Sequence, residues 1–166
     1  MKHTLSCLAY NKPGVLAKVA SSFAQENINI YSLAAGEVEE EGKSRMTIVV
    51  DADNLTIERA EKRLKEIDDI IKVYDFQEGD FIAMELLIVK IKVRNEYIPQ
   101  ILQIAELFNA QVIAVSDVSM VLTLASEEKR INGLVKMLSP LGIIEMCRSG
   151  KLAVSAADGG EKKDEE

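Results

Sequence analysis

Hydrophobic and polar residues alternate along residues 4–10, and this period of two predicts a β-strand. After Gly14 the apolar residues recur three and four positions apart, which predicts a helix. Pro13 suits the first position of that helix, because its missing N–H would have no partner there. The apolar face of the predicted helix consists of Val15, Leu16, Val19, Ala20 and Phe23.

The same reasoning extends the first half of the chain to six elements. Strand-like stretches at 27–35 (NINIYSLAA) and 44–50 (SRMTIVV) are joined by a charged loop at 36–43. A second helix follows Asp53, and a strand at 70–76 closes the unit. The core positions of this second helix are Ile57, Ala60, Leu64 and Ile67. The predicted order is therefore βαββαβ.

The second half repeats this order after a short linker at 77–80. Its predicted elements are a strand at 84–93, a helix from Ile98 to Phe108, strands at 111–116 and 119–125, a helix capped by Ser126, and a strand at 142–147 that continues at 151–156.

Two successive βαββαβ units predict an α+β protein made of two tandem ferredoxin-like modules, each an antiparallel sheet with two helices on one face. We expect domains at 1–77 and 78–157, followed by a charged, structureless tail at 158–166. Open sheets of this size have edge strands that pair readily with another copy, so we also expect a dimer.

Composition narrows the class of protein. Hydrophobic residues make up 48% of the chain and charged residues 28%, so a sizeable core can form. The net charge of −7 and the absence of Trp argue against nucleic acid or an anionic membrane as the main partner. No apolar run approaches the roughly 20 residues that span a bilayer, and no secretory signal is recognisable. We expect a cytoplasmic protein in which Cys7 and Cys147 are buried thiols.

A search for catalytic groups finds little. His3 is the only histidine, and a structural or neutral role suits a solitary histidine near a terminus better than acid–base catalysis. Arg148 could activate Cys147, but the apolar pattern around that cysteine favours a packed core thiol. The acidic run within 37–41 has no calcium-loop spacing. We therefore predict no catalytic residues and no metal site.

The turn that follows the first strand is the one candidate site. A helix that begins at a Pro-Gly turn leaves backbone N–H groups without partners, and with the helix dipole these groups suit a carboxylate. Gly14 allows close approach to the backbone, and Asn11 could contact the polar end of an amino acid. From spacing alone, a plain capped turn is the favoured interpretation, and the carboxylate site is the alternative.

A resemblance to a known family makes this interpretation more specific. NKPGVLAKVASSF (11–23) followed by NINIYSL (27–33) resembles the opening of an ACT domain, the small-molecule-sensing module of amino-acid metabolism. Over residues 2–156 the chain is similar to the regulatory small subunit of acetohydroxyacid synthase, also called acetolactate synthase. The similar stretches are SRMTIVV, EIDDIIKVYDF, MELLIVKIKV, IAELFNAQVIAVS and IIEMCRSGKLAVS.

This resemblance implies a non-catalytic subunit that activates a thiamine-diphosphate-dependent catalytic subunit and confers feedback inhibition by valine. It implies no cofactor in this chain, with thiamine diphosphate, Mg²⁺ and FAD expected in the catalytic subunit. In the family, ACT domains pair side by side and bind the amino acid between subunits. Carried onto this chain, one wall of the valine site would be Asn11, Gly14, Val15 and Leu16, and the other would be Asn29 and Ile30 of the neighbouring subunit.

Two other functions remain as alternatives. The chain could be a free-standing ACT regulator that binds an amino acid without an enzyme partner. An RNA-binding ferredoxin-like module is the third possibility, although the aromatic and Gly-rich strand signature of such modules is missing.

Overall fold

The structure of the protein is a computed structural model that describes residues 1–77 and 79–157. Its described residues form two four-stranded antiparallel sheets with helices in two βαββαβ runs. The predicted α+β class and tandem ferredoxin-like architecture are thereby confirmed. The predicted tail at 158–166 lies outside the described residues.

The chain divides into two compact units. One comprises Met1–Ala83 together with the described residues 151–157, and the other comprises Met84–Gly150. Compactness does not show which segment folds independently. The domain boundaries at 1–77 and 78–157 therefore stay a prediction.

The first unit contains the first six elements in the predicted order. They are β1 (Lys2–Tyr10), α1 (Val15–Gln25), β2 (Ile30–Glu37), β3 (Lys43–Asp51), α2 (Asn54–Lys65) and β4 (Ile70–Phe76). The strand order in the sheet is β2-β3-β1-β4, so β2 and β4 are the edges. Asp53 caps α2, since its side chain accepts a hydrogen bond of 2.9 Å from the amide of Thr56.

The core of this unit lies between the sheet and its two helices. Leu5 and Ile48 from the central strands pack with Phe23 of α1 and Leu64 of α2, and all four side chains are fully buried. These positions follow the alternation of the strands and the three- and four-residue spacing of the helices. Burial of each such side chain contributes about 1.5–3 kcal/mol.

The central strands of this sheet are buried on both faces. Thr47, which alternates with the core residues Met46 and Ile48 of β3, is itself only 3% exposed. Its Oγ1 accepts a hydrogen bond of 3.3 Å from the amide of Ala153, a buried residue of the segment 151–157. This segment therefore contributes to covering the face of the sheet opposite the helices.

The second unit follows the same plan. Its elements are β5 (Phe81–Lys92), α3 (Ile98–Phe108), β6 (Gln111–Val115), β7 (Ser119–Ser126), α4 (Glu128–Gly142) and β8 (Ile143–Ser155), with the sheet order β6-β7-β5-β8. Residues 81–83 of β5 and 151–155 of β8 belong to the first unit. The two predicted final strand segments are one continuous strand. The predicted cap at Ser126 is wrong: Ser126 ends β7, and Glu127 is the N-cap of α4 without a side-chain cap bond.

Strict alternation builds the core of the second unit. Leu87, Val89 and Ile91 of β5 are fully buried against helix residues such as Ile101 and Leu134. The residues between them on β5 are exposed or partly exposed. This is the pattern of a strand with one face in the core.

An ion pair between the exposed Arg148 and the buried Glu85 lies in the same unit. The guanidinium of Arg148 donates from Nε to Oε1 of Glu85 at 2.8 Å and from Nη1 to the side chain of Asn132 at 2.9 Å. The Glu85 side chain is only 8% exposed. The expectation that Cys147 is a packed core thiol is wrong, because Cys147 is exposed.

Candidate amino-acid site in the first unit

The connection between β1 and α1 is a tight turn. Gly14 has a φ of 87° and a ψ of −12°, and the amide of Val15 donates to the carbonyl of Lys12 at 3.4 Å. This is the geometry of a type II turn, which favours Pro at its second position and Gly at its third. Pro13 therefore precedes the helix by two residues, and the prediction that it occupies the first helical position is wrong.

The start of α1 presents backbone donors. Gly14 is the N-cap, and its carbonyl accepts from the amide of Lys18 at 3.1 Å. The amides of Leu16 and Ala17 fall in the first turn, where helix geometry provides no acceptor, and no acidic side chain occupies that turn. A Cβ at Gly14 would meet nothing within 4 Å, so the space in front of the turn is open. The helix dipole favours a negative group there.

Asn11 lies at the same end of the sheet. Its backbone N–H donates to the carbonyl of Gly42 at 2.8 Å, and its side-chain Nδ2 donates to Oε1 of Glu37 at 3.1 Å. Both side chains are exposed. Asn11 is thus held beside the last residue of the edge strand β2.

Asp69 braces this turn, and sequence reasoning missed it. Its carboxylate accepts from Lys12 Nζ at 2.9 Å and from Lys18 Nζ at 2.7 Å, while its carbonyl accepts from the amide of Tyr10 at 2.9 Å. The hydrogen bonds from Lys18 and Lys12 lower the pKa of the Asp69 carboxyl. The bond between Asp69 and Lys18 also raises the pKa of Lys18. In the sequence, only Lys12 and Lys18 on either side of the turn suggest that an acidic partner is needed. They do not show that this partner is Asp69.

The two apolar residues after Gly14 differ in exposure. The side chain of Val15 belongs to the core and is 5% exposed, whereas Leu16 is 49% exposed. Only the backbone of Val15 therefore faces the open space at the turn, and Leu16 is the apolar side chain available to a ligand. Their roles in ligand binding stay predictions.

Asn29 and Ile30 lie elsewhere in the chain. Ile30 begins β2 and pairs with Val50, whereas Glu37 ends β2 and pairs with Ser44. Seven strand steps separate Ile30 from Glu37, a span of roughly 20 Å. The structure thus brings Asn11, Gly14 and Leu16 together within one chain and does not bring Asn29 or Ile30 to them.

Other chemistry is sparse in the described ranges 1–77 and 79–157. No group of three or more His, Cys, Asp or Glu residues there could hold a metal ion. Within the same part of the chain, no helix is both long enough and apolar enough to cross a membrane. His3 is buried and contacts Asp75, with 2.8 Å between Nδ1 and Oδ2.

Comparison with known proteins identifies both halves of the chain. Residues 5–72 match the family model described as AHAS small subunit-like ACT domain, and residues 84–157 match the model described as small subunit of acetolactate synthase.

Individual relatives are similar to this chain over nearly the whole length of both proteins. The acetolactate synthase small subunit of Mycolicibacterium smegmatis is 36% identical over 95% of this chain and 93% of its own. The probable acetolactate synthase small subunit of Archaeoglobus fulgidus is 34% identical, over 93% and 96%. The crystal structure of the acetolactate synthase small subunit from Thermotoga maritima superposes with a TM-score of 0.88, 29% identity and coverage of 95% and 99%. The chain belongs to the acetolactate synthase small subunit family.

Proposed function

We propose that this chain is the regulatory, non-catalytic subunit of acetolactate synthase, acting in the cytoplasm in branched-chain amino-acid biosynthesis. It binds the catalytic large subunit, raises its activity and makes it sensitive to valine. The observation that carries the proposal is the similarity to small subunits across both units rather than across the ACT module alone. The catalytic chemistry and its thiamine diphosphate, Mg²⁺ and FAD belong to the large subunit.

Valine binds at the turn before α1. Its carboxylate accepts hydrogen bonds from the amides of Leu16 and Ala17, where the helix dipole favours an anion. The open space in front of Gly14 gives the ligand close access to this backbone. The exposed side chain of Leu16 contributes apolar contact to the branched side chain of the ligand.

A second copy of the chain completes the site. β2 is an edge of its sheet, and two such edges pair antiparallel about a two-fold axis. Antiparallel pairing brings the first residue of one β2 opposite the last residue of the other. Ile30 of one copy then lies near Glu37 of the second copy, and Glu37 contacts Asn11. The side chains of Asn11 and Asn29 are placed to contact the ligand's ammonium group, and Ile30 its side chain.

Binding at such a shared site couples valine to the enzyme. The ligand stabilises one arrangement of the dimer, and the large subunit prefers another, so each lowers the affinity for the other by the same factor. An aliphatic pocket separates ligands that differ by one methylene by only about 1–3 kcal/mol. Leucine and isoleucine are therefore expected to act as weaker effectors.

A free-standing amino-acid-binding regulator is the second candidate. Its support is the turn geometry alone, which a sensor without an enzyme partner would share. The similarity of residues 84–157 to small subunits favours the subunit over the free-standing sensor.

Two measurements on the purified full-length chain test the proposal. Calorimetric titration is expected to show saturable binding of valine, tighter than that of leucine or isoleucine. A tagged chain expressed in its native cell is expected to retain a large thiamine-diphosphate-dependent protein through purification. Valine binding without such a partner would favour the free-standing sensor, and absence of both would overturn the proposal.

A further inference from the structure

The only histidine of the chain is held in a fixed orientation beneath α2. His3 of β1 is 8% exposed, Asp75 of β4 is 13% exposed, and the distance from Nδ1 to Oδ2 is 2.8 Å. A carboxylate can only accept, so Nδ1 of His3 carries the proton of this bond. In the neutral imidazole, Nε2 is then a hydrogen-bond acceptor.

Two buried acceptors of this pair have no partner. Among the described residues, Nε2 of His3 and Oδ1 of Asp75 are the buried side-chain atoms that lack a hydrogen bond. Buried polar atoms are nearly always satisfied, because leaving one unpaired costs the free energy of its desolvation. Water or a bound ligand can supply the donors that these two atoms lack within the chain.

A cleft of about 380 Å³ lies beside both residues. It is lined by Met1, His3, Asn54, Ile57, Glu58, Glu61, Lys65, Val73, Tyr74, Asp75 and Gln77. Its volume is at the lower end of the range for small-molecule sites. Ile57 and Val73 supply apolar wall, and the charged groups are mostly acidic.

The acidic groups lack a matching positive charge. Burial raises the pKa of the Glu61 carboxyl above its ordinary value, and the negative charges of Asp75 and Glu58 raise it further, while Lys65 and His3 oppose the shift. A cation in the cleft would relieve this repulsion. The positive groups along the cleft are Lys65 and the terminal ammonium of Met1, which is already paired with Asp51, so the three carboxylates outnumber them.

We propose that this cleft binds a small organic cation through its ammonium group, a short diamine being the best fit. The N–H groups of an ammonium satisfy His3 Nε2 and Asp75 Oδ1 together, and Glu61 supplies the counter-charge. The methylene chain lies against Ile57 and Val73. A metal ion is a poorer fit, since no group of three ligating side chains with suitable geometry occurs among the described residues.

The cleft is remote from the turn that forms one half of the proposed valine site. His3 lies near the beginning of β1 and Asn11 follows its end at Tyr10, so the strand between them spans roughly 20 Å. Ile30, from the other half, lies two strands from His3, since both residues pair with Val50. The inference does not rest on the proposed regulatory function.

The single histidine provides a direct readout. We would follow the imidazole C–H resonances of His3 by NMR in the full-length chain during titration with putrescine at about pH 8, with ionic strength held constant. A saturable shift with a half-saturation of about 1 mM is expected for so small a ligand. Butanediol of the same chain length, which lacks the charges, is expected to cause no saturable shift.

Matched variants locate the binding. Glu61→Gln is expected to raise the putrescine concentration for half-saturation at least fivefold, because the counter-charge is lost. Glu66→Gln removes an acid of the same region that does not line the cleft, and it should leave the titration unchanged. If Glu61→Gln fails to fold by circular dichroism, Glu58→Gln replaces it.

Four results would overturn the proposal. These are no saturable His3 shift with putrescine, an equal shift with butanediol, an unchanged titration in Glu61→Gln or its replacement, and a shift with Zn²⁺ but not with putrescine. The last result would indicate a metal site instead. Gly14→Asp should leave the putrescine titration unchanged, which separates this site from the valine site.

Discussion

The side-chain amide of Asn11 donates a hydrogen bond to the carboxylate of Glu37, with 3.1 Å between Nδ2 and Oε1. This contact joins the turn before α1 to the last residue of the edge strand β2. β2 is an edge strand, and in the proposed antiparallel dimer its last residue lies opposite the first residue of β2 of the second copy. The contact then links the turn to the place where Asn29 and Ile30 of that copy would lie.

Replacing Gly14 tests the carboxylate-binding role of the turn. Gly14→Asp places a negative charge where the carboxylate of valine is proposed to bind, and we expect at least a tenfold loss of valine affinity in calorimetry. Activation of the large subunit should largely persist. Unchanged valine affinity would show that the ligand binds elsewhere.

The control must separate charge from backbone strain. Gly14 has a φ of 87°, which most side chains adopt poorly, although there is room for a Cβ. Asn tolerates the left-handed region and has the same shape as Asp. Gly14→Asn should therefore keep more valine affinity than Gly14→Asp. Equal losses in the two variants would assign the effect to strain.

Removing the contacts of Asp69 with Lys12 and Lys18 is expected to cause a pH-dependent loss of stability. Hydrogen bonds from Lys18 and Lys12 lower the folded-state pKa of Asp69, so its stabilising contribution is present above the unfolded-state pKa of about 4 and is lost as the pH falls through the folded-state value. Asp69→Asn should lower the melting temperature at neutral pH. The difference from the unchanged chain should shrink toward pH 3, and a difference independent of pH would contradict this role.

Breaking the ion pair between Glu85 and Arg148 is expected to lower stability more than Asp69→Asn does. Arg148→Leu leaves the carboxylate of Glu85 buried without its counter-ion, and we expect the free energy of unfolding to fall by about 3 kcal/mol in urea titration. The double variant with Glu85→Leu and Arg148→Leu removes both charges and should recover part of this loss. Valine binding should be unchanged, because Gly14 lies in the other compact unit. A loss below about 0.5 kcal/mol would contradict a structural role for the pair.

Local patterns predicted most of the fold. The alternation of β1 and β5 and the helical spacing of α1 are set by neighbouring residues, so they can be read without knowing the tertiary structure. Ser126 and Pro13 were misplaced by one or two residues, since β7 extends through Ser126 and the type II turn takes up Pro13 before the helix begins.

Contacts between residues far apart in the sequence leave no local pattern from which they could be predicted. Asp69 braces a turn more than fifty residues away, and Glu85 pairs with Arg148 across the sheet. The expected core position of Cys147 failed because residues 144–149 of β8 are exposed on both faces, and an apolar pattern does not tell whether a strand is covered. The turn itself was predicted because Pro-Gly chemistry is local, whereas Asn29 and Ile30, the proposed second half of the valine site, lie at the far end of β2 from it.

The most direct test of the shared site uses a mixed dimer. One copy carries Gly14→Asp and the other Asn29→Lys, which places a positive charge near the ammonium group of valine, and two different tags select the dimer that contains both. A shared site predicts that each parent dimer binds valine at least tenfold more weakly at both sites, and that the mixed dimer regains one of its two sites at the unaltered affinity, since that site combines an unaltered Gly14 with an unaltered Asn29. A mixed dimer that regains no such site in calorimetry, with both chains folded, would contradict the account.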